Sequence, residues 1–88
     1  MSVSFYANAE VATLEANYSN SNAGRVLSAM GFLADSTFEE ACVGECPAEE
    51  FVQRCYAGLA EGLDASRFVA LVRIGREAKA LGVPVFWG

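Results

Sequence analysis

The sequence predicts an α+β domain, mostly helical, with about four helices bracketed by short N- and C-terminal strands that can pair. Three observations carry this reading. Residues 2–7 alternate, with Ser2 and Ser4 facing one way and Val3 and Phe5 the other, which is the period of a strand. The middle of the chain places apolar residues at helical spacings between capping residues and glycines. The end, Val83-Pro84-Val85-Phe86-Trp87, is a second β-type run. Eighty-eight residues suit one domain, 1–88.

Taken in order, Asn8 can cap a short helix that buries Val11, Leu14 and Tyr18. Ser19-Asn20-Ser21-Asn22 favours a turn and a cap. A helix then starts near Asn20 or Ser21 and sets Ala23, Val26, Leu27 and Met30 on one face, with Gly31 just beyond its end. Residues 32–46 read as a connection. It carries one helical turn, in which Ser36 and Glu39 match a capping box, and a turn at 43–46. Pro47 suits the first position of a helix over about 47–62, and Glu49 and Glu50 complement its dipole. That helix is expected to bury Phe51, Val52, Cys55, Tyr56 and Leu59 and to end at Gly62. Asp64 or a neighbour caps a last helix over about 65–81, whose Gly75 admits a close approach by another backbone. Pro84 lacks a donor, so the final strand begins there or lies at a sheet margin. Helices between the two strands make a parallel pair an available topology.

The chain is 53% apolar. A domain of this size buries only roughly 60% of the surface its unfolded chain exposes. The surplus predicts contact with another chain, most simply a homodimer. The helix over 65–81 and the terminal aromatics are the expected interface, through Phe68, Leu71, Val72, Gly75, Phe86 and Trp87. Six basic against eleven acidic residues give a net charge of −5, which argues against binding nucleic acid or an anionic membrane surface. No run is long enough to span a bilayer, and the N-terminus lacks the pattern of a secretion signal, so a cytoplasmic setting is expected.

Histidine is absent, which removes the commonest general base and the usual partner of a nucleophilic serine or cysteine. Lys79, the thiols, the carboxylates and the arginines remain, and no motif organises them. An enzyme is therefore not expected, nor is a cofactor. Cys42, Cys46 and Cys55 are an odd set without a second ligand pair, so they read as reduced thiols rather than a zinc knuckle or a disulfide framework. Their neighbours Glu39, Glu40 and Glu45 would raise a thiol pKa. A small thiol- or ligand-binding protein is the alternative that alkylation of Cys42 and Cys46 would test.

The charges are segregated. Asp35, Glu39, Glu40, Glu45, Glu49 and Glu50 fall within sixteen residues, and Arg67, Arg73, Arg76 and Lys79 fall on the last helix. Solvated faces explain most of this. A sharper reading has the acidic segment of one copy meeting the basic helix of another, with Arg73 and Arg76 setting register. Another has the acidic 35–50 segment, through Glu49 and Glu50, inhibiting a basic host protein. Asn22 and Arg25 are left over after capping is satisfied and are candidate contacts to a polar ligand or peptide.

The stretch Asn17-Tyr18-Ser19-Asn20-Ser21-Asn22-Ala23-Gly24-Arg25-Val26-Leu27, followed by Met30-Gly31, resembles the opening of a family of small uncharacterised bacterial and phage-associated proteins. Pro47-Ala48-Glu49-Glu50-Phe51 and the terminal Val85-Phe86-Trp87-Gly88 are similar to that family's corresponding segments. The loop around 62–66 is shorter here and the cysteines are additional. The resemblance implies no activity. It implies a phage, prophage or mobile-element setting, with the chain as an accessory or modulator protein.

Overall fold

A computed structural model describes residues 2–62 and 65–88. Among these, the element order is β1 (Ser2–Ala7), β2 (Glu15–Ser19), α1 (Asn20–Ala29), α2 (Phe38–Ala41), β3 (Gly44–Cys46), α3 (Ala48–Ala60), α4 (Ala65–Leu81) and β4 (Val85–Trp87). The protein is α+β and mostly helical, with strands at both ends as expected. The strands form one antiparallel sheet in the order β2-β1-β4-β3.

The terminal strands do pair, but antiparallel rather than parallel. Phe5 lies opposite Trp87, Tyr6 opposite Phe86 and Ala7 opposite Val85. Ser4 and Gly88 extend the ladder by exchanging backbone hydrogen bonds of 2.9 and 3.1 Å. The reason is the number of helical crossings. A single helix between strands returns the chain parallel, whereas the α3–α4 hairpin makes two passes and returns β4 antiparallel to β3. Pro84 sits just before β4, where its missing N–H costs no ladder bond, and its carbonyl accepts from the Asn8 amide at 2.9 Å. With the ladder undisturbed, β4 occupies the interior of the sheet.

The expected helix after Asn8 is absent. Residues 15–19 instead pair with β1, from Ser2 opposite Ser19 to Tyr6 opposite Glu15. The period of two wins here because it turns Ala16 and Tyr18 toward the core, whereas Val11 and Leu14 remain exposed. The preceding turn is held from the other end of the sequence. The Glu77 carboxylate on α4 accepts from the Thr13 amide (2.9 Å), the Thr13 hydroxyl and the Leu14 amide (3.2 Å). These bonds favour its charged form and hold its carboxyl below the usual range.

Other boundaries shift by a residue or a turn. Ser19 caps α1, accepting from the Asn22 amide, and Gly31 follows with φ +85°. The capping box is Thr37 with Glu40, one residue later than expected. Ser36 instead donates its hydroxyl to the Phe32 carbonyl at 2.9 Å. The segment expected to be a turn at 43–46 contributes β3, and Pro47 is the cap of α3 rather than its first residue. Asp64, expected to cap α4, lies outside the described residues.

The core lies between the sheet and the helices. Phe5, Phe51 and Trp87 form a mutually tilted ring cluster with centroids 5.8–6.3 Å apart, and Phe32 meets Trp87 at 4.9 Å. The Trp87 indole N–H donates to the Ala41 carbonyl at 2.8 Å, which satisfies its one polar atom. On α3 the buried positions are Phe51, Cys55 and Gly58, a stripe at i, i+4 and i+7. Val52 and Leu59 are only partly buried and Tyr56 is exposed, so the helix is rotated from the orientation its bulkiest residues suggest. Arg54 ties α3 to the end of α1: it donates to the Met30 carbonyl at 2.8 Å, pairs with Glu50 at 3.0 Å, and stacks 4.5 Å above Phe32.

Candidate functional site

The six residues expected at a contact between copies are, with one exception, used within the chain. Phe68 and Leu71 are wholly inaccessible, and Val72, Gly75 and Trp87 are buried. Gly75 does admit a close neighbour, but that neighbour is α3. A Cβ there would stand 2.6 Å from Val52 Cγ2 and 3.2 Å from Phe51 Cδ2. Wide apolar faces on α3 and α4 are mostly satisfied by each other and by the sheet, which corrects the proposed interface. Phe86 alone of the six keeps partial exposure.

Part of what remains exposed and apolar gathers on the outside of the helix hairpin, while Val11, Leu14 and Val43 are exposed elsewhere. Tyr56 and Val69 are each 47% exposed. With Leu59, the edge of Val72, Arg73 and Arg76 they line a groove of about 340 Å³. A second groove of about 230 Å³, lined by Glu49, Val52, Gln53, Tyr56, Arg76 and Lys79, continues it along the seam. Arg76 donates to the Tyr56 hydroxyl at 2.8 Å, which fixes both side chains at the junction. The seam is thus an apolar trough flanked by three cations and, at one end, by Glu49. Predicted contacts Arg73, Arg76 and Glu49 therefore meet here, while Glu50 faces Arg54 instead.

The second uncovered surface is the outer face of the sheet. Residues opposite one another across an antiparallel pair point to the same side. Since Val3, Phe5 and Ala7 face the core, Tyr6 faces out. Its cross-strand neighbours are Glu15 on β2 and Phe86 on β4, and Phe86 is opposite Glu45 on β3. One row therefore reads Glu15, Tyr6, Phe86, Glu45, spanning about 14 Å. The two rings are 5.5 Å apart, and Glu15 and Glu45 are exposed. Asn8 donates to Glu45 at 3.4 Å. A Cβ on Gly88 would touch both Phe86 (3.3 Å) and Val43 (3.7 Å), so the exposed Val43 extends the apolar strip. Beside the row, the Asn17 amide donates to the hydroxyls of Ser2 and Ser4 at 3.1 and 2.8 Å.

Asn22 and Arg25 are not brought together as one site. Arg25 lines a shallow groove of about 480 Å³ with Asn20, Ser28, Leu33, Phe38 and Glu61, which Asn22 does not line. Asn22 gives its amide to the Ser19 cap. The six acids of the 35–50 segment are all exposed, and four of them serve separate places: Glu40 in the capping box, Glu50 beside Arg54, Glu45 on the sheet face and Glu49 at the seam.

Among the described residues, no group of three or more His, Cys, Asp or Glu side chains is placed to hold a metal ion, and no helix is long and apolar enough to cross a membrane. All three thiols are free. Burial pushes the Cys46 thiol up to about 12, reinforced by Glu50, and does the same to Cys55. Cys42 is partly exposed and donates to the Glu39 carbonyl at 3.3 Å. An alkylating reagent at pH 8 is expected to label Cys42 in the native protein and to reach Cys46 and Cys55 only after denaturation. Mass spectrometry of the labelled peptides reads this out, and prompt native labelling of Cys46 would contradict the burial argument.

Tyr56, Val69, Tyr6, Glu15 and Val43 were not singled out as contacts from the sequence. Alternation alone separates Tyr6 from Phe5, and Phe86 from Val85 and Trp87, so the outward aromatics were available to a strand-face reading. The exposure of Tyr56 and Val69 depends on the rotation of α3 and α4, which sequence spacing leaves undetermined. No family model matches the chain, and no curated protein or solved structure matches it either.

Proposed function

We propose that this chain is a non-enzymatic protein-interaction module that self-associates, and that the contact uses the outer α3–α4 seam rather than the buried face of α4. The observation that carries this reading is the clustering of the exposed Tyr56 and Val69 with Leu59 in one trough. Exposed apolar residues scattered singly need no explanation, whereas a contiguous group rimmed by charge marks a contact surface. Tyrosine and arginine side by side are also the residue types that dominate interface energetics. An accessory or modulator role for a phage or prophage is the setting we attach to it, on the resemblance of residues 17–31, 47–51 and 85–88.

The test is sedimentation over a dilution series, comparing the wild-type chain with the double variant Tyr56→Ser/Val69→Ser. The wild-type mass should rise above the single-chain 9.4 kDa as concentration increases. The variant should stay at one chain with its thermal midpoint little changed, because both side chains lie outside the core. A wild-type chain that remains single at millimolar concentration would overturn the proposal, as would a variant that associates like the wild type.

A further inference from the structure

We propose that the self-association is head-to-tail: the cationic α3–α4 seam of one copy seats on the open sheet face of the next, against the row Glu15, Tyr6, Phe86 and Glu45. The inference rests on the reading of the chain as a self-associating module and names the surface the seam meets. Each surface is a poor partner for itself. Two seams brought together across a two-fold axis would set Arg73, Arg76 and Lys79 against the same three cations, with only Glu49 at one end to offset them. Two sheet faces brought together would oppose Glu15 and Glu45 with Glu15 and Glu45. Like charges across a contact disfavour that pairing.

Crossed, the same surfaces fit. The seam offers guanidinium groups around exposed Tyr56 and Val69. The sheet face offers a pair of aromatic rings with a carboxylate at each end of the row. A guanidinium stacks on an aromatic face and forks onto a carboxylate, so one arginine can satisfy both halves of this row. The apolar parts also correspond, with Tyr56 and Val69 meeting the strip of Tyr6, Phe86 and Val43. Sheet face and seam lie on opposite layers of the fold, because the helices cover the sheet's other side. A contact between unlike surfaces leaves one of each free at the ends of every open assembly. The product is a chain of copies that either closes into a ring or grows.

Complementation between two reversed variants tests this. Arg73→Glu/Arg76→Glu spoils the seam and keeps the sheet face, and Glu15→Arg/Glu45→Arg does the opposite. All four positions are exposed, and circular dichroism of each variant confirms that it folds. Each variant alone should lose at least about tenfold in self-association. Mixing them should restore association in alternating copies, since the intact seam of one meets the intact face of the other and the two reversed surfaces again carry opposite charge, and raising salt should weaken it. The proposal is overturned if the wild type associates but the sheet-face variant associates equally well, or if mixing restores nothing. Either result leaves self-association through the seam standing. A wild-type chain that never associates removes both.

Discussion

Replacing Trp87 by alanine is expected to cost about 4 kcal/mol, a large share of the whole stability of an 88-residue domain, which is about 4–13 kcal/mol. The indole is 3% exposed and touches Phe5, Phe32 and Phe51. Its removal leaves a cavity where the sheet meets the helices. It also strands the Ala41 carbonyl, which holds the end of α2 against the core through the 2.8 Å bond from Nε1. Gly44 belongs to the same arrangement, since a Cβ there would stand 2.6 Å from Trp87 Cζ2. Trp87→Phe keeps the ring stacking and loses the hydrogen bond, so it should cost about 1–2 kcal/mol. Urea denaturation of both variants measures the two contributions. A Trp87→Ala cost below about 1 kcal/mol would mean that the indole is not the keystone of the core.

The second large effect has a sign opposite to helix propensity. Glycine to alanine inside a helix ordinarily gains about 1 kcal/mol. At Gly58 on α3 it should instead cost about 1–3 kcal/mol. A Cβ there would lie 2.4 Å from Cζ and 2.5 Å from Cε1 of Phe68, a ring with no exposed surface and no room to retreat. Gly75 on α4 repeats the design in the other direction, with Val52 and Phe51 as the neighbours. Gly24 on α1 is the internal control. Its Cβ would meet Phe38 Cδ1 at 3.4 Å, an ordinary contact, so Gly24→Ala should gain up to about 1 kcal/mol. Denaturation midpoints of Gly58→Ala and Gly24→Ala moving in the same direction would contradict the packing.

These positions show which parts of the fold the sequence makes legible. Helices α1, α3 and α4 follow from local signals: the Ser-Asn cap, Pro47 with its two glutamates, and glycines at 31, 62 and 82, all of positive φ. The strands at the ends follow from alternation. The hairpin β1–β2 does not, because Val11, Leu14 and Tyr18 happen to fall at helical spacing, and the deciding contacts come from Ser2–Tyr6 and from Glu77, sixty residues or more away from Thr13 and Leu14. The direction of β4 depends on how many times the helices cross the sheet, which no single segment states.

The interaction surfaces divide in the same way. The apolar surplus that pointed to a partner is real in composition, but the α3–α4 hairpin and the sheet absorb most of it. Phe68, Leu71 and Trp87 look like interface residues in a list of hydrophobics and become core once α4 is laid on β1 and β4. The exposed pair on the helix hairpin, Tyr56 and Val69, becomes visible only after the helices have been rotated into place. Arg73 and Arg76 could be chosen from charge segregation alone, since helix period turns them away from the buried Leu71, Ile74 and Ala78, with Arg76 beside the edge of Val72.

The most direct measurement is amide hydrogen exchange of Val85, Phe86 and Trp87 at micromolar and at millimolar protein. Their amides belong to a ladder built entirely from β1 and β3 of the same chain. Protection that is high and unchanged by dilution, while exchange around Tyr56 and Val69 slows at the higher concentration, is the result expected of a core that is complete in one copy and a seam that is not. Protection of the C-terminal strand that disappears on dilution would show that a second copy supplies those contacts, and would contradict both the core and the interface described for this protein.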